Sequence, residues 1–346
     1  MKNFLNSLRK TTFWRFFIQN LFYPIYNIIW QYLINFYAKM LYFIWFFKKR
    51  EFIKFNQNDK ILIKDNNTFK NISKKVLQEC LPLLENSKKK ILSAEYKEKL
   101  SEEIGPTSTM AELPYTISMY ENLSENLKKE ILTFASSDFM ISTAANYMGI
   151  FPILTRVQVD HNISREGGGI RGAMHWHKDT FGFKNLDFFM GVTDINDENG
   201  PFFTLEKKVK AGTFLRFSNL VSTTKKGERG KVSSENFFKY FKDEPCLKLE
   251  GNSGSAIFLD SFSSYHRGGF CKSADRITLR FCYQSHDALF ASQVSEEGFY
   301  KFDKSFHRKD VNDVFKKYLF FKRPSKVMNY LANKIVYFYR KIDFVV

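Results

Sequence analysis

Arg276-Ile277-Thr278-Leu279-Arg280-Phe281-Cys282-Tyr283 is an alternating run. A period of two is the pattern of a β-strand, because successive side chains point to opposite faces. Arg276, Thr278 and Arg280 therefore share one face. Just upstream, Gly254-Ser255-Ala256-Ile257-Phe258-Leu259-Asp260 is a Gly-led apolar strand that ends shortly before His266. Further upstream, after Pro152, short β-like runs recur at 153–161, 173–177, 186–194, 201–206 and 212–217, followed by 255–260 and 276–284. Gly167-Gly168-Gly169 and Glu198-Asn199-Gly200-Pro201 punctuate them as turns. Many short strands separated by turn signals imply a sandwich or barrel such as a jelly roll. The stretch 222–247 is basic and polar and reads as an insertion or loop, and no internal repeat is visible.

The residues before Pro152 have a different texture. Positions 60–64 read as a short strand. From 71 to 103 the pattern is helical, with Leu77, Leu81, Leu84 and Ile91 as apolar positions and Pro82 as a break. Ser124 is expected to cap a helix running to about 135, and a further helix covers 137–148. The expected class is α+β with a mainly β core. The expected divisions are 1–54 (basic aromatic helices), 55–150 (helices packed on the core), 151–295 (the jelly roll) and 296–346 (basic C-terminal helices).

Charge separates the ends from the centre. The net charge is +17 over 346 residues. Residues 1–54 hold nine Lys and Arg against Glu51 alone, and 301–346 hold twelve against four Asp, so the middle is close to neutral. The basic residues at the ends are interleaved with Phe, Tyr, Trp and Ile, which favours an anionic membrane surface over nucleic acid. Residues 16–38 carry no charge over 23 positions, long enough to span a bilayer. Yet Arg15, Gln19, Asn27, Gln31, Asn35 and Lys39 draw a polar stripe down one side, and Pro24 interrupts it. Spanning a membrane, lying in its headgroups and packing on the domain all stay open. The segment lacks the small-residue cleavage site of a signal peptide. At the other end Val327, Leu331, Ile335 and Phe338 line one helical face after Pro324. Four cysteines with no Cys-x-x-Cys pair fit a reducing cytoplasm. The expected location is cytoplasmic, peripheral at the inner face of a membrane.

Trp176-His177-Lys178-Asp179 carries the chemistry. On an extended chain His177 and Asp179 share a face, so an imidazole and a carboxylate can meet one metal. His266, 89 residues later, supplies a third ligand. Two His and one carboxylate on one side of a metal leave positions open, the arrangement of non-haem iron(II) oxygenases. A bare His-x-Asp is a weak signal. His175 would share the face of His177 and is a rival ligand, in the manner of a cupin-type His-x-His site. Arg276, opening its strand ten residues after His266, is costly inside a barrel unless it meets an anion. The distal carboxylate of 2-oxoglutarate would satisfy it through a bidentate salt bridge, with Thr278 adding a hydroxyl. A structural ion pair is the plainer reading of such arginines and the expected one for Arg280.

These pieces, taken in order, resemble the phytanoyl-CoA dioxygenase family of iron(II)/2-oxoglutarate oxygenases over roughly residues 150–290. Trp176-His177-Lys178-Asp179 is similar to its Trp-His-x-Asp segment, with Lys178 where Gln is usual. Asp197-Glu198-Asn199-Gly200-Pro201 is similar to its acidic-Asn-Gly turn. The strand up to Asp260, then His266 and Arg276, look like its closing strand, second histidine and keto-acid arginine. Phe202-Phe203-Thr204-Leu205 departs from the Pro-Gly-Ser-His stretch that often follows the turn, which puts the substrate class in doubt. The resemblance implies a double-stranded β-helix, a site made by His177, Asp179 and His266, and hydroxylation of a C–H bond with Fe(II), 2-oxoglutarate and O2. The substrate is expected to be a small molecule or a lipid-linked one, with Phe181, Phe183 and Phe203 as candidate walls. The competing reading is a non-catalytic, membrane-proximal jelly roll that keeps a metal as a structural element. Nucleic acid is not an expected partner.

Overall fold

The computed structural model describes residues 39, 42–43, 51–55, 60–106, 108–165, 168–179, 184–206, 231–242 and 244–285. The expected strand at 212–217, the C-terminal segment 296–346, nearly all of the first 50 residues, and both Phe181 and Phe183 lie outside them. Among the described residues no helix is long and apolar enough to cross a membrane.

Side-chain caps fix where the helices start. Asn66 accepts from the Phe69 amide and opens α1 (Asn67–Cys80), and Ser93 accepts from Tyr96 and opens α3 (Ala94–Ile104). Between them lies α2 (Leu84–Leu92), reached through a 3-10 turn at Leu81–Leu83 that contains Pro82. The helical stretch expected over 71–103, broken at Pro82, is thus three helices, because Ser93, in extended conformation, adds a second break. A short α4 (Thr109–Glu112) follows. Ser124 caps α5 (Glu125–Ala135) as expected, and Ser137 caps α6 (Asp138–Met148).

The strands form two antiparallel sheets. The larger has the order β1 (Lys60–Ile63), β7 (Ala256–Leu259), β4 (Asn185–Gly191), β9 (Arg276–Gln284), β3 (Ile153–Asn162) and β2 (Thr116–Ser118). The smaller has the order β6 (Cys246–Leu249), β5 (Phe202–Leu205) and β8 (His266–Arg267). A bridge between His177 and His266 adds the Trp176-His177 segment beside β8. The expected strand at 173–177 is reduced to these bridges, because Gly172–Met174 forms a 3-10 turn. The stretch 222–247 is not wholly a loop: its described part holds α7 (Ser234–Tyr240) and the start of β6. Phe237 on α7 and Phe241 just after it bury against Trp176 and Tyr265. Basic neighbours hid that apolar face from a reading by composition.

Alternation along β9 sorts its side chains. Ile277, Leu279, Phe281 and Tyr283 enter the main core under α1, α5 and α6, where Phe188 contacts Phe69, Phe258 and Phe281. Phe188→Ala is expected to cost about 3–5 kcal/mol in urea unfolding, since this ring is fully buried and packed against Phe69, Phe258 and Phe281. Arg276, Thr278, Arg280 and Cys282 point the other way, toward the smaller sheet. There Phe189 on β4 stacks on Phe202 of β5, with ring centroids 4.7 Å apart. Tyr42, Ile53 and Phe55 pack on the main core, so the described part of the N-terminal segment lies on the domain. The cysteines are free thiols, Cys271 and Cys282 included.

The start of β9 is pinned from outside. Asp275 Oδ2 lies 2.8 Å from His161 Nε2, and Ser87 Oγ lies 2.6 Å from His161 Nδ1. A serine, a histidine and an aspartate in line resemble a nucleophilic triad, but Ser87 is buried on α2. Asp275 is also bound by Lys88 and by the Ser164 amide and hydroxyl. The cluster ties α2 to two central strands. Burial pushes the Asp275 carboxyl up, but the hydrogen bonds from His161, Ser164 and Lys88 outweigh it and leave it well below the carboxylate range. Its contribution is therefore fully present above the unfolded pKa of about 3.9, and is lost as pH falls from there through the depressed folded value. Asp275→Asn is expected to lower stability at pH 7 by roughly 1.5–3 kcal/mol and to flatten the acid limb of a stability–pH curve measured by urea unfolding. An acid limb as steep as that of the parent chain would count against this account.

Candidate metal centre

Each of the three ligands is delivered by backbone pairing. Trp176 and His177 alternate across the small sheet. Trp176 stacks on Phe237 outside, at 4.2 Å and 3°, and His177 faces in. The amides and carbonyls of His177 and His266 pair with each other, and the Asp179 amide donates to the Ser261 carbonyl. Asp260 organises the turn into His266. Its carboxylate accepts from the Phe262 and Ser263 amides and from the Tyr147 hydroxyl of α6.

The result is a convergence of one donor atom each from His177, Asp179 and His266, all within 4.8 Å of one another. His177 Nε2 lies 3.8 Å from Asp179 Oδ1, and His266 Nε2 lies 3.9 Å from Asp179 Oδ2. Both imidazoles are oriented by a carbonyl two residues back: His177 Nδ1 is 2.8 Å from the His175 oxygen, and His266 Nδ1 is 3.1 Å from that of Ser264. A carbonyl only accepts, so each Nδ1 carries the proton and each Nε2 presents its lone pair to the shared space. Burial, then the neighbouring His266, push the His177 pKa down to about 3, which keeps this ring neutral and able to ligate. His175, the rival ligand, gives its carbonyl; its ring is outside the convergent group among the described residues.

Arg280 closes the site from β9. Its Nη2 donates to Asp179 Oδ2 at 2.8 Å and to Asp187 Oδ2 at 2.9 Å. The ion pair expected of Arg280 is therefore present, and one of its partners is a ligand. Burial works to raise the Asp179 pKa, but the Arg280 guanidinium outweighs it and holds the carboxylate ionised. With Oδ2 engaged, Oδ1 is the oxygen left facing His177. Three donors are one short of a closed structural zinc site, and the set fits a metal that keeps positions for other ligands.

The remaining site residues divide. Arg276 is buried, its Nη1 donates to the Asn199 carbonyl at 3.1 Å, and its Nε has no partner. Asn199 belongs to the acidic turn, where Gly200 adopts φ +73° and a Cβ would lie 2.5 Å from the Phe270 carbonyl, so only glycine fits. The turn and the arginine are thus one assembly. Thr278 lies between Arg276 and Arg280 on the inward face. Phe203 points away from the ligands, with the Arg267 guanidinium 3.9 Å from its ring centre. The wall that β5 turns toward them is Phe202, stacked 5.4 Å from His266. Asp187 and Phe202 were missed as site residues. The alternation 185–191, read against that of β9, was the signal that could have found Asp187.

No protein-family model matches the chain, and no curated protein matches it in sequence. Among solved structures, EctD from S. alaskensis in its apoform is similar over 73% of this chain and 78% of its own, at 15% identity and a TM-score of 0.40. The same protein with 2-oxoglutarate and 5-hydroxyectoine is similar over 68% and 74%, at 13% identity and a TM-score of 0.42. The non-heme alpha ketoglutarate dependent carbocyclase SnoK from nogalamycin biosynthesis follows over 66% and 79%, at 14% identity and a TM-score of 0.38. Likenesses this distant do not assign an activity.

Proposed function

We propose that this chain is an iron(II)- and 2-oxoglutarate-dependent dioxygenase on a double-stranded β-helix, hydroxylating a C–H bond of a small or lipid-linked substrate. The observation that carries the reading is the convergence of His177, Asp179 and His266 with both imidazole lone pairs aimed at one point. The ordered motif resemblance to phytanoyl-CoA dioxygenases supports it, as does the buried Arg276 with an unpartnered Nε on the inward face. Bound by the three ligands, iron(II) would supply the redox chemistry that couples oxidative decarboxylation of 2-oxoglutarate to substrate oxidation. The overall balance is substrate, O2 and 2-oxoglutarate in; hydroxylated substrate, succinate and carbon dioxide out. Arg276 and Thr278 would hold the far carboxylate of the keto acid, and Arg280 keeps Asp179 ionised and oriented. Phe189 and Phe202, stacked on each other, form an aromatic wall beside His266. A peripheral position at an anionic membrane belongs to the same reading, on the charge of the two ends.

The test is succinate release from 2-oxoglutarate by the purified full chain under air. It is expected to require added iron(II) and to stop in His266→Ala. Metal binding without oxygen consumption under any keto acid would sink the reading and favour a structural metal.

A further inference from the structure

Among the described residues, two arginines in the loop between β3 and Trp176 have no carboxylate partner. Arg171 is 2% exposed, and its Nε and Nη2 have no hydrogen-bond partner. Arg165 likewise keeps Nε and Nη2 buried and unpartnered. The two cations stand near enough to repel each other: burial first, and then Arg165, weakens the hold of Arg171 on its proton. The Arg171 guanidinium carbon lies 5.8 Å from the Tyr115 ring centre, and the Tyr115 hydroxyl accepts from the Ala173 amide. Gly168 makes room. A Cβ there would stand 3.0 Å from Arg171 Nη2 and from the Phe270 ring, whereas one at Gly169 would meet nothing within 4 Å.

Buried guanidinium groups without counter-charges cost several kcal/mol, and arginine cannot escape by losing its proton. A planar fork of donors matches a carboxylate or phosphate. We propose that Arg165 and Arg171, whose buried Nε and Nη2 atoms are unpartnered, form a subsite beside Gly168 for an oxyanion, a carboxylate or phosphate group, carried by the substrate. Tyr115 lies within electrostatic reach of both Arg171 and Arg276, which puts the subsite on the side of the site where Arg276 stands. Arg276, anchored on Asn199, is left for the keto acid. The subsite rests on the proposed function only in placing the anion on a substrate.

The test uses inorganic phosphate as probe on the full chain, at constant ionic strength with chloride as control. Phosphate is expected to raise the thermal midpoint saturably by at least roughly 2–4 °C. Arg171→Met and Gly168→Ala should each abolish that rise, the second while keeping both arginines. In phosphate-free buffer Arg171→Met should unfold at a higher temperature than the parent chain, because it removes an unpaired buried charge; a purely structural arginine would give the opposite shift. Affinity for 2-oxoglutarate should change by less than about threefold in Arg171→Met and fall at least tenfold in Arg276→Met. No phosphate effect beyond chloride, or an undiminished effect in both variants, would overturn the subsite. So would equal loss of 2-oxoglutarate binding in Arg171→Met and Arg276→Met, which would give the pocket to the co-substrate. Destabilisation by Glu166→Gln matching a loss in Arg171→Met would overturn it too, by making a carboxylate of the chain itself the partner. Phosphate stabilisation without iron-dependent succinate release would defeat the proposed function and leave the subsite intact.

Discussion

Arg280→Leu is expected to destabilise the folded chain by about 3–5 kcal/mol, the usual cost of stripping a buried charge of its partner. The variant strands two carboxylates. Asp187 is fully buried, its Oδ1 has no hydrogen bond, and beyond Arg280 the carboxylate has the Asn185 amide at 3.4 Å from Oδ2 and the Cys282 thiol. Beyond the two imidazoles, Asp179 would keep Arg156 as its remaining charged neighbour. Both carboxylates would then be relieved by taking up protons, and stability should rise as pH is lowered toward 5, the reverse of the Asp275 effect. A divalent cation bound at the three ligands would replace arginine as the counter-charge of Asp179. Part of the deficit should therefore vanish when urea unfolding is repeated with saturating manganese, and Asp187→Asn in the same background should recover a further part. A deficit under 1 kcal/mol, or one indifferent to metal and to Asp187, would remove Arg280 from this role.

The same residue shows what could be read from sequence and what could not. Alternation placed Arg276, Thr278 and Arg280 on one face, and spacing offered His177, Asp179 and His266 as ligands, because strand periodicity is local. The partners of those faces are not local. Whether Arg276 or Arg280 stands beside Asp179 depends on how far along β9 the Trp176-His177 segment crosses, and that is set by the bridge to His266 and the Ser261 carbonyl, contacts over more than 80 residues of chain. Phe203 was a reasonable wall by composition, but a one-residue change of parity on β5 turns Phe202 inward in its place. α7 was hidden for a different reason: Ser234–Tyr240 buries chiefly Phe237, and its charged neighbours dominate any composition window. His175 shows the limit of period-two reasoning, since a 3-10 turn immediately before it breaks the strand on which the rivalry with His177 depended.

Asp179→Ala should separate the fold from its chemistry. In this variant Arg280 keeps Asp187 at 2.9 Å, so the buried cation remains neutralised. The Asp179 amide bond to Ser261 is backbone and survives as well. Urea unfolding without metal is therefore expected to shift by no more than about 1–2 kcal/mol, a value for an ordinary substitution. Metal binding should collapse. Loss of outer partners of a ligand already costs 10–100-fold in affinity, so loss of the one anionic donor should cost on the order of 10²-fold or more for iron(II) titrated anaerobically. Succinate release should fall with it and should not return on adding chloride at concentrations that leave the parent chain unaffected. The two readouts guard each other. A variant that fails to fold would show that Asp179 is structural, with Arg280 depending on both carboxylates. A folded variant that still binds iron(II) and turns over 2-oxoglutarate at the parent rate would mean that the convergence of His177, Asp179 and His266 is not where the chemistry takes place.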